Sequence, residues 1–151
     1  MRPDEFAPSL DLILELSDLC AAFATKQPVS SILSHFSSLS PSPILIHEHG
    51  LPQLAPFLGR DFRGRDGVTA YFAAVSACLT YANMEFSNYV VDPVSRKVSV
   101  RGAAVFTWTS TGQSWDEVFT YVLAFDDELK VDKYEIWADS GAAYLASRGE
   151  L

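Results

Sequence analysis

MEFSNYVVDPVSRKVSVRGAAVFTWTSTGQSWDEVFTYVLAFDDELKVDKYEIWA (84–138) is the stretch whose reading decides the fold. Through it the apolar residues recur with a period of two. MEFSNYVVD (84–92), VSVRGAAVFTWTS (98–110), WDEVFTYVLAF (115–125) and KVDKYEIWA (130–138) read as four strands. DPVSRK, STGQS and DDEL between them are turn signals. Consecutive strands joined by hairpins form an antiparallel sheet. Along 115–125 the alternation puts Trp115, Glu117, Phe119, Tyr121, Leu123 and Phe125 on one face. That aromatic face is expected to turn inward. Phe106 and Trp108 share a face of the preceding strand and offer a second wall. In the last strand Tyr134 and Ile136 share one face and Glu135 and Trp137 the other. A bulge there would decide which pair points inward.

Upstream the period lengthens. Val68, Tyr71, Phe72, Val75, Cys78 and Leu79 lie at helical spacing, which predicts a helix over 66–82 with Tyr71 and Phe72 roofing whatever lies beneath. A helix capped by Ser9 and running to about Lys26 carries Leu12, Leu16, Leu19 and Phe23. A shorter one starts at Pro28 and uses Val29, Ile32, Leu33 and Phe36. SSLSPSP (37–43) is a loop, ILIHEHG (44–50) a short strand ended by Gly50, and LPQLAPFLGRDFRG (51–64) irregular. Asp139 or Ser140 caps a terminal helix. Residues 1–8 read as a flexible leader and 9–151 as a single domain. The class is α+β, with helices gathered on one face of a long sheet that curls around them and leaves room for a pocket.

Composition narrows the function. The 151 residues carry a formal net charge of −8, a field that repels nucleic-acid backbones and anionic membranes. Arg60, Arg63 and Arg65 form a local exception in GRDFRGRDG (59–67), read as a solvated loop or as an anion-binding lip. Ten Phe, six Tyr and three Trp are enough to fill a core or to line a cavity for an organic ligand. The N-terminal residues lack the pattern of a signal peptide, and no apolar run approaches the roughly 18 residues of a membrane span. The expectation is a cytoplasmic protein with Cys20 and Cys78 as free thiols.

The strand ending in HEHG, the run PFLGRDFRGRDGVTAYF (56–72), and the closing hairpin from 115–125 through DDELK to YEIWAD resemble the nuclear transport factor 2-like superfamily, in its SnoaL-like branch. The resemblance covers about residues 9–148. It implies a cone-shaped curved sheet around N-terminal helices, an internal cavity for a small apolar or aromatic ligand, and a homodimer through the outer sheet face. Such proteins include ketosteroid isomerases, polyketide cyclases, dehydratases, epoxide hydrolases and non-catalytic binders. The function expected here is a cofactor-free isomerase, cyclase or dehydratase acting by proton transfer on an apolar carbonyl or polycyclic substrate. The alternative is a non-catalytic ligand-binding or dimerisation module.

Alternation in ILIHEHG puts Ile44, Ile46 and Glu48 on one face and Leu45, His47 and His49 on the other. The more apolar face aims Glu48 inward, where desolvation makes a carboxylate a usable base near neutral pH. Ketosteroid isomerases place their basic carboxylate similarly. The competing reading pairs Glu48 with an Arg of 60–65. If the strand twists at Gly50, His47 turns inward instead. An H-x-H pair is also a metal-ligand pattern, but no further ligand follows before Asp61, so no metal is expected. Tyr121, near where related cyclases carry His, is the candidate donor to a developing oxyanion; its other reading is a core Tyr bonded to a carbonyl. Phe72, Trp108, Glu117, Phe119, Tyr134 and Trp137 are the candidate substrate-binding residues. The first helix, 9–26, has no Tyr, unlike ketosteroid isomerases, so any donor must come from elsewhere.

Overall fold

In the computed structural model, which describes residues 3–151 (side chains from Ser9 onward), the long helix α1 spans Pro3–Ala24 and α2 spans Val29–Leu33. Helix α1 begins ahead of Ser9, so Ser9 is not its cap. Of the leader expected over 1–8, residues 3–8 are helical backbone and residues 1 and 2 lie outside the described residues. The short strand β1 (Leu45–His49) follows, then β2 (Asp61–Arg63) and α3 (Gly64–Cys78). Four long strands come next: β3 (Leu79–Asp92), β4 (Lys97–Trp108), β5 (Ser114–Phe125) and β6 (Val131–Trp137). Helix α4 (Ser140–Ser147) closes the chain, capped by Asp139, whose carboxylate accepts from the Ala142 N–H at 3.0 Å.

All six strands join one curved, unclosed sheet in the order β2-β1-β6-β5-β4-β3. The hairpins β3-β4, β4-β5 and β5-β6 are antiparallel, as the alternation predicts. One correction concerns the other edge. Strand β1 lies parallel to β6, with Glu48 opposite Ile136 and His49 opposite Trp137, so the sheet is mixed. A parallel pair needs a long crossover, and the chain from Gly50 to Lys130 supplies it. Strand β2 is a second addition, inside the stretch read as irregular. At three residues it is too short to show a period, but Phe62 is buried and Asp61 and Arg63 are exposed.

The boundary between α3 and β3 lies earlier than the helical pattern suggests. Leu79 continues that pattern, yet it is the first residue of the strand and is buried from there. Strand β3 then carries two irregularities, between Ala82 and Glu85 and between Ser87 and Val90. Asn83 and Asn88 sit there with φ of 56° and 57°. Asn tolerates this left-handed conformation better than most residues, and bulges of this kind bend and twist a strand. The bent sheet folds over α1, which packs on β3 and β4. Leu12, Leu16 and Leu19 of α1 are buried in a core shared with Ile44, Ile46, Val98, Val100 and Leu123. Among the described residues no helix is long and apolar enough to cross a membrane.

Candidate active site

Strand β1 keeps its regular alternation to the end. Ile46 is fully buried and Glu48 only 7% exposed, while His47 and His49 face outward and are half-buried. The backbone beyond it is held in place. Gly59 donates its N–H to the Glu48 carbonyl at 2.9 Å. Gly59 has φ of +64°, and a Cβ there would lie 2.5 Å from the Gly50 carbonyl oxygen, so only glycine lets the 50–59 loop close beneath Glu48.

The inward face of the sheet and the helices α1 and α3 enclose a cavity of about 590 Å³. Phe23, Phe72, Phe106, Phe119 and Met84 supply apolar walls. The titratable groups are Glu48, Glu117 and the phenols of Tyr71, Tyr81, Tyr121 and Tyr134, with Lys26 and Asp139 among the lining residues that are exposed at the mouth; Gln27, Thr69, Ser76, Thr80 and Ser140 add neutral polar side chains. An apolar chamber with a small number of convergent polar groups is the usual form of a small-molecule site.

Glu48 is the centre of this arrangement. The Tyr71 hydroxyl donates to its Oε1 at 2.5 Å. Burial pushes the carboxyl up to about 7; the Tyr71 bond pulls it down, and the negative charge of Glu117 across the cavity adds to the rise. The competing partners are committed elsewhere. Arg60 donates to the Pro56 carbonyl at 2.7 Å, Arg63 pairs with Asp61 at 3.1 Å, and Arg65 donates to the carbonyls of Phe36 and Ser37. Tyr71 is the residue whose part the sequence conceals. Its helical spacing marks it as a roof residue, and only the fold brings its hydroxyl to a carboxylate 23 positions away.

Glu117 is the second inward carboxylate. Its Oε1 accepts from the Trp115 indole N–H at 3.0 Å and from the Asp139 backbone N–H at 3.1 Å. Burial raises its pKa, against the pull of those two donors. Tyr121 and Tyr134 meet edge to face with ring centroids 4.9 Å apart. Burial lifts both phenols above their ordinary range, so they are donors at any physiological pH. Phe119 lies 5.0 Å from Tyr121, centroid to centroid, and Phe72 packs 5.7 Å from Phe23.

Three of the residues singled out from sequence lie elsewhere. His47 does not turn inward. Its Nδ1 pairs with Asp61 at 2.8 Å on the outer face, because β1 stays regular through Glu48. Trp137 is 41% exposed and stacks on His49 at 4.3 Å, since the one irregularity of β6 lies at its start, beside Asp132, and the alternation from Tyr134 to Trp137 is regular. Trp108 is buried but outside the cavity lining, where β4 ends against Leu79. His49 itself pairs with Glu135 at 2.9 Å. Among the described residues no three His, Cys, Asp or Glu side chains gather as a metal site would require.

No protein-family model and no curated protein matches the sequence. Solved structures do resemble it. An NTF2-like protein of unknown function from Burkholderia pseudomallei superposes with a TM-score of 0.74 at 15% identity, over 90% of this chain and 96% of that one. TerC, co-crystallised with polyporic acid, gives 0.76 at 16% identity over 91% and 98%. The BvnE pinacolase from Penicillium brevicompactum gives 0.68 at 17% identity over 95% and 92%. Likeness at such identity speaks for architecture alone, and the architecture of this chain is that of the NTF2-like structures it superposes on.

Proposed function

We propose that this protein is a cofactor-free enzyme that moves a proton on an apolar carbonyl or polycyclic substrate, giving isomerisation, cyclisation or dehydration. One observation carries the reading: a carboxyl group poised near neutrality, Glu48, opens on an aromatic cavity of about 590 Å³. A base whose pKa matches the working pH both exists as carboxylate and returns its proton readily. Glu48 takes the proton next to the carbonyl. Tyr121 donates to the oxygen as negative charge develops there. The protonated Glu48 then delivers the proton to a second carbon or to a leaving hydroxyl. Tyr71 acts as a positioning residue for Glu48. Phe72, Phe119 and Tyr134 wall the substrate, and Glu117 contacts its far end. Among the structural neighbours, TerC crystallised with polyporic acid and a pinacolase accord with small-molecule chemistry in this fold.

The same proposal includes a homodimer through the outer sheet face, where Val118 is 55% and Trp137 41% exposed. Lone apolar side chains on a surface are ordinary, but a tryptophan and a valine on neighbouring strands suit an interface core.

The test is deuterium incorporation into the methyl group of 2-acetonaphthone in heavy water, followed by proton NMR. The wild-type protein is expected to accelerate exchange. Glu48→Gln should lower that acceleration by about 10²–10⁴-fold with an unchanged circular dichroism spectrum. Full exchange activity in Glu48→Gln would remove Glu48 from the mechanism. Wild-type protein that binds the ketone yet exchanges it at the buffer rate would be a binding module.

A further inference from the structure

We infer that the cavity selects an uncharged carbonyl compound carrying a second, remote hydroxyl group, and that Glu117 is the residue that holds this hydroxyl. The inference rests on the site proposed above and names the class of its substrate.

The two buried carboxylates are built alike. Each has one oxygen tied by protein donors: Oε1 of Glu48 by Tyr71, and Oε1 of Glu117 by Trp115 and the Asp139 N–H. Neither Oε2 has a partner among the described residues. The one sealed side-chain oxygen without a partner among them is Asp126 Oδ2. Both Oε2 atoms therefore keep some open surface, and both residues line the cavity. A fixed carboxylate oxygen facing an apolar chamber is an acceptor awaiting a donor, because leaving such a group unmatched costs more than a neutral mismatch does.

The two ends differ in what else they offer. Around Glu48 stand phenols. Tyr71 is committed to the carboxylate and Tyr81 to the Phe23 carbonyl at 2.6 Å. Tyr134 donates to the Tyr121 oxygen, which leaves the Tyr121 O–H, on a residue that lines the cavity, free to donate. This end presents a base and a donor, which suits a carbonyl with an acidic neighbouring C–H. At Glu117 the Trp115 and Asp139 donors both point at Oε1, which leaves Oε2 as a charged acceptor with the neutral Ser140 hydroxyl nearby in the lining. This end suits a hydroxyl. Glu117 lies four residues from Tyr121 along β5 on the same face, about 13 Å of strand at ~3.3 Å per residue. The aromatic walls between the ends fit a flat or polycyclic body.

Charge completes the selection. The lining carries three carboxylates, Glu48, Glu117 and Asp139, against one ammonium. That ammonium, Lys26, is exposed at the mouth with its Nζ 5.2 Å from the centre of the Tyr81 ring. Among the described residues no Arg or His lines the chamber. An anion entering it meets like charge in a medium that screens poorly, and nothing inside compensates it.

Calorimetric titration with four matched ketones tests this: 2-acetonaphthone, its 6-hydroxy and 6-methoxy derivatives, and 6-acetyl-2-naphthoate. At pH 8 the wild-type protein should bind the hydroxy ketone about tenfold more tightly than the methoxy or unsubstituted one, as a matched charged hydrogen bond implies. It should bind the carboxylate at least about tenfold more weakly than 2-acetonaphthone. Glu117→Leu should level the affinities for the hydroxy and unsubstituted ketones, since the acceptor of the second hydrogen bond is lost. Equal affinities for the hydroxy and methoxy ketones, tight binding of the carboxylate, or no binding of the hydroxy ketone would overturn the inference. The wild-type series decides this even if Glu117→Leu does not fold. None of these titrations requires turnover. A hydroxyl preference in a protein that does not catalyse exchange would uphold this inference and defeat the catalytic reading; catalysis without the preference would do the reverse.

Discussion

Glu48 is the proposed base, and at the scale of the single residue its surroundings make two further outcomes calculable. The Tyr71 hydroxyl stabilises the charged form of the carboxylate, against burial. Tyr71→Phe removes that donor, so the Glu48 pKa should climb above its value of about 7. The acidic limb of the pH–rate profile for ketone exchange should shift upward with it. An unmoved limb with lower activity would make Tyr71 a packing residue only. The second outcome concerns stability. The folded pKa of Glu48, about 7, exceeds its ordinary 4.5. The stability this group contributes is therefore fully present below pH 4.5 and lost as pH rises through 7. Glu48→Gln has no such loss. The variant should gain on the wild type by up to roughly 3 kcal/mol in unfolding free energy between those limits, measured by urea denaturation at pH 4.5 and pH 8. A constant difference across that range would show that Glu48 does not titrate abnormally. Glu48 was legible in the sequence because three inward residues, Ile44, Ile46 and Glu48, fix the phase of one short strand. Tyr71 was legible as buried but not as the partner of a carboxylate, because contacts between a helix and a distant strand leave no local signal.

Among the elements, β5 was read almost completely from its alternation, since every second residue from Trp115 to Phe125 is buried. Strand β1 was read correctly in phase, but its parallel pairing with β6 was not visible. Pairing direction between segments some eighty residues apart depends on the path of the chain, and a hydrophobic period carries no trace of it. The bends of β3 and the close packing of β4 can both be tested. Asn83 and Asn88 hold left-handed backbone where the strand is irregular. Asn83→Val should cost about 1–2 kcal/mol, the price of that conformation for a branched side chain, whereas Asn83→Gly should be nearly neutral. Equal losses in both would place the cost in the side chain and not in the backbone. On β4, a Cβ at Gly102 would fall 2.1 Å from the Phe119 ring. Gly102→Ala should destabilise by about 1–3 kcal/mol through overpacking and drive Phe119 toward the cavity, weakening binding of 2-acetonaphthone. Unchanged stability and unchanged affinity together would contradict this packing.

For the molecule as a whole, the sheet bends over α1 because β3 is irregular, and the space left between them is the cavity. Its inner face carries the proposed site. Its outer face carries Val118 and Trp137 beside the His49–Glu135 pair, and the proposed dimer forms there. Val118→Lys should convert a sedimenting dimer to a monomer without loss of secondary structure. A monomeric wild type, or a variant that stays dimeric, would remove that face from the assembly. The architecture was legible because it follows from periods and turns spread over the whole chain. Trp108 and Trp137 differ from the expectation because each is the last residue of its strand, where alternation no longer says whether the pocket extends that far, whereas His47 faces outward as the alternation of β1 gives it. The account as a whole stands on one group, and a carbon-13 NMR titration of the side-chain carboxyl of Glu48 reads it directly, with the signal assigned by its absence in Glu48→Gln. The predicted result is a midpoint near 7; a midpoint near 4.5, the ordinary value for this carboxyl, would contradict it.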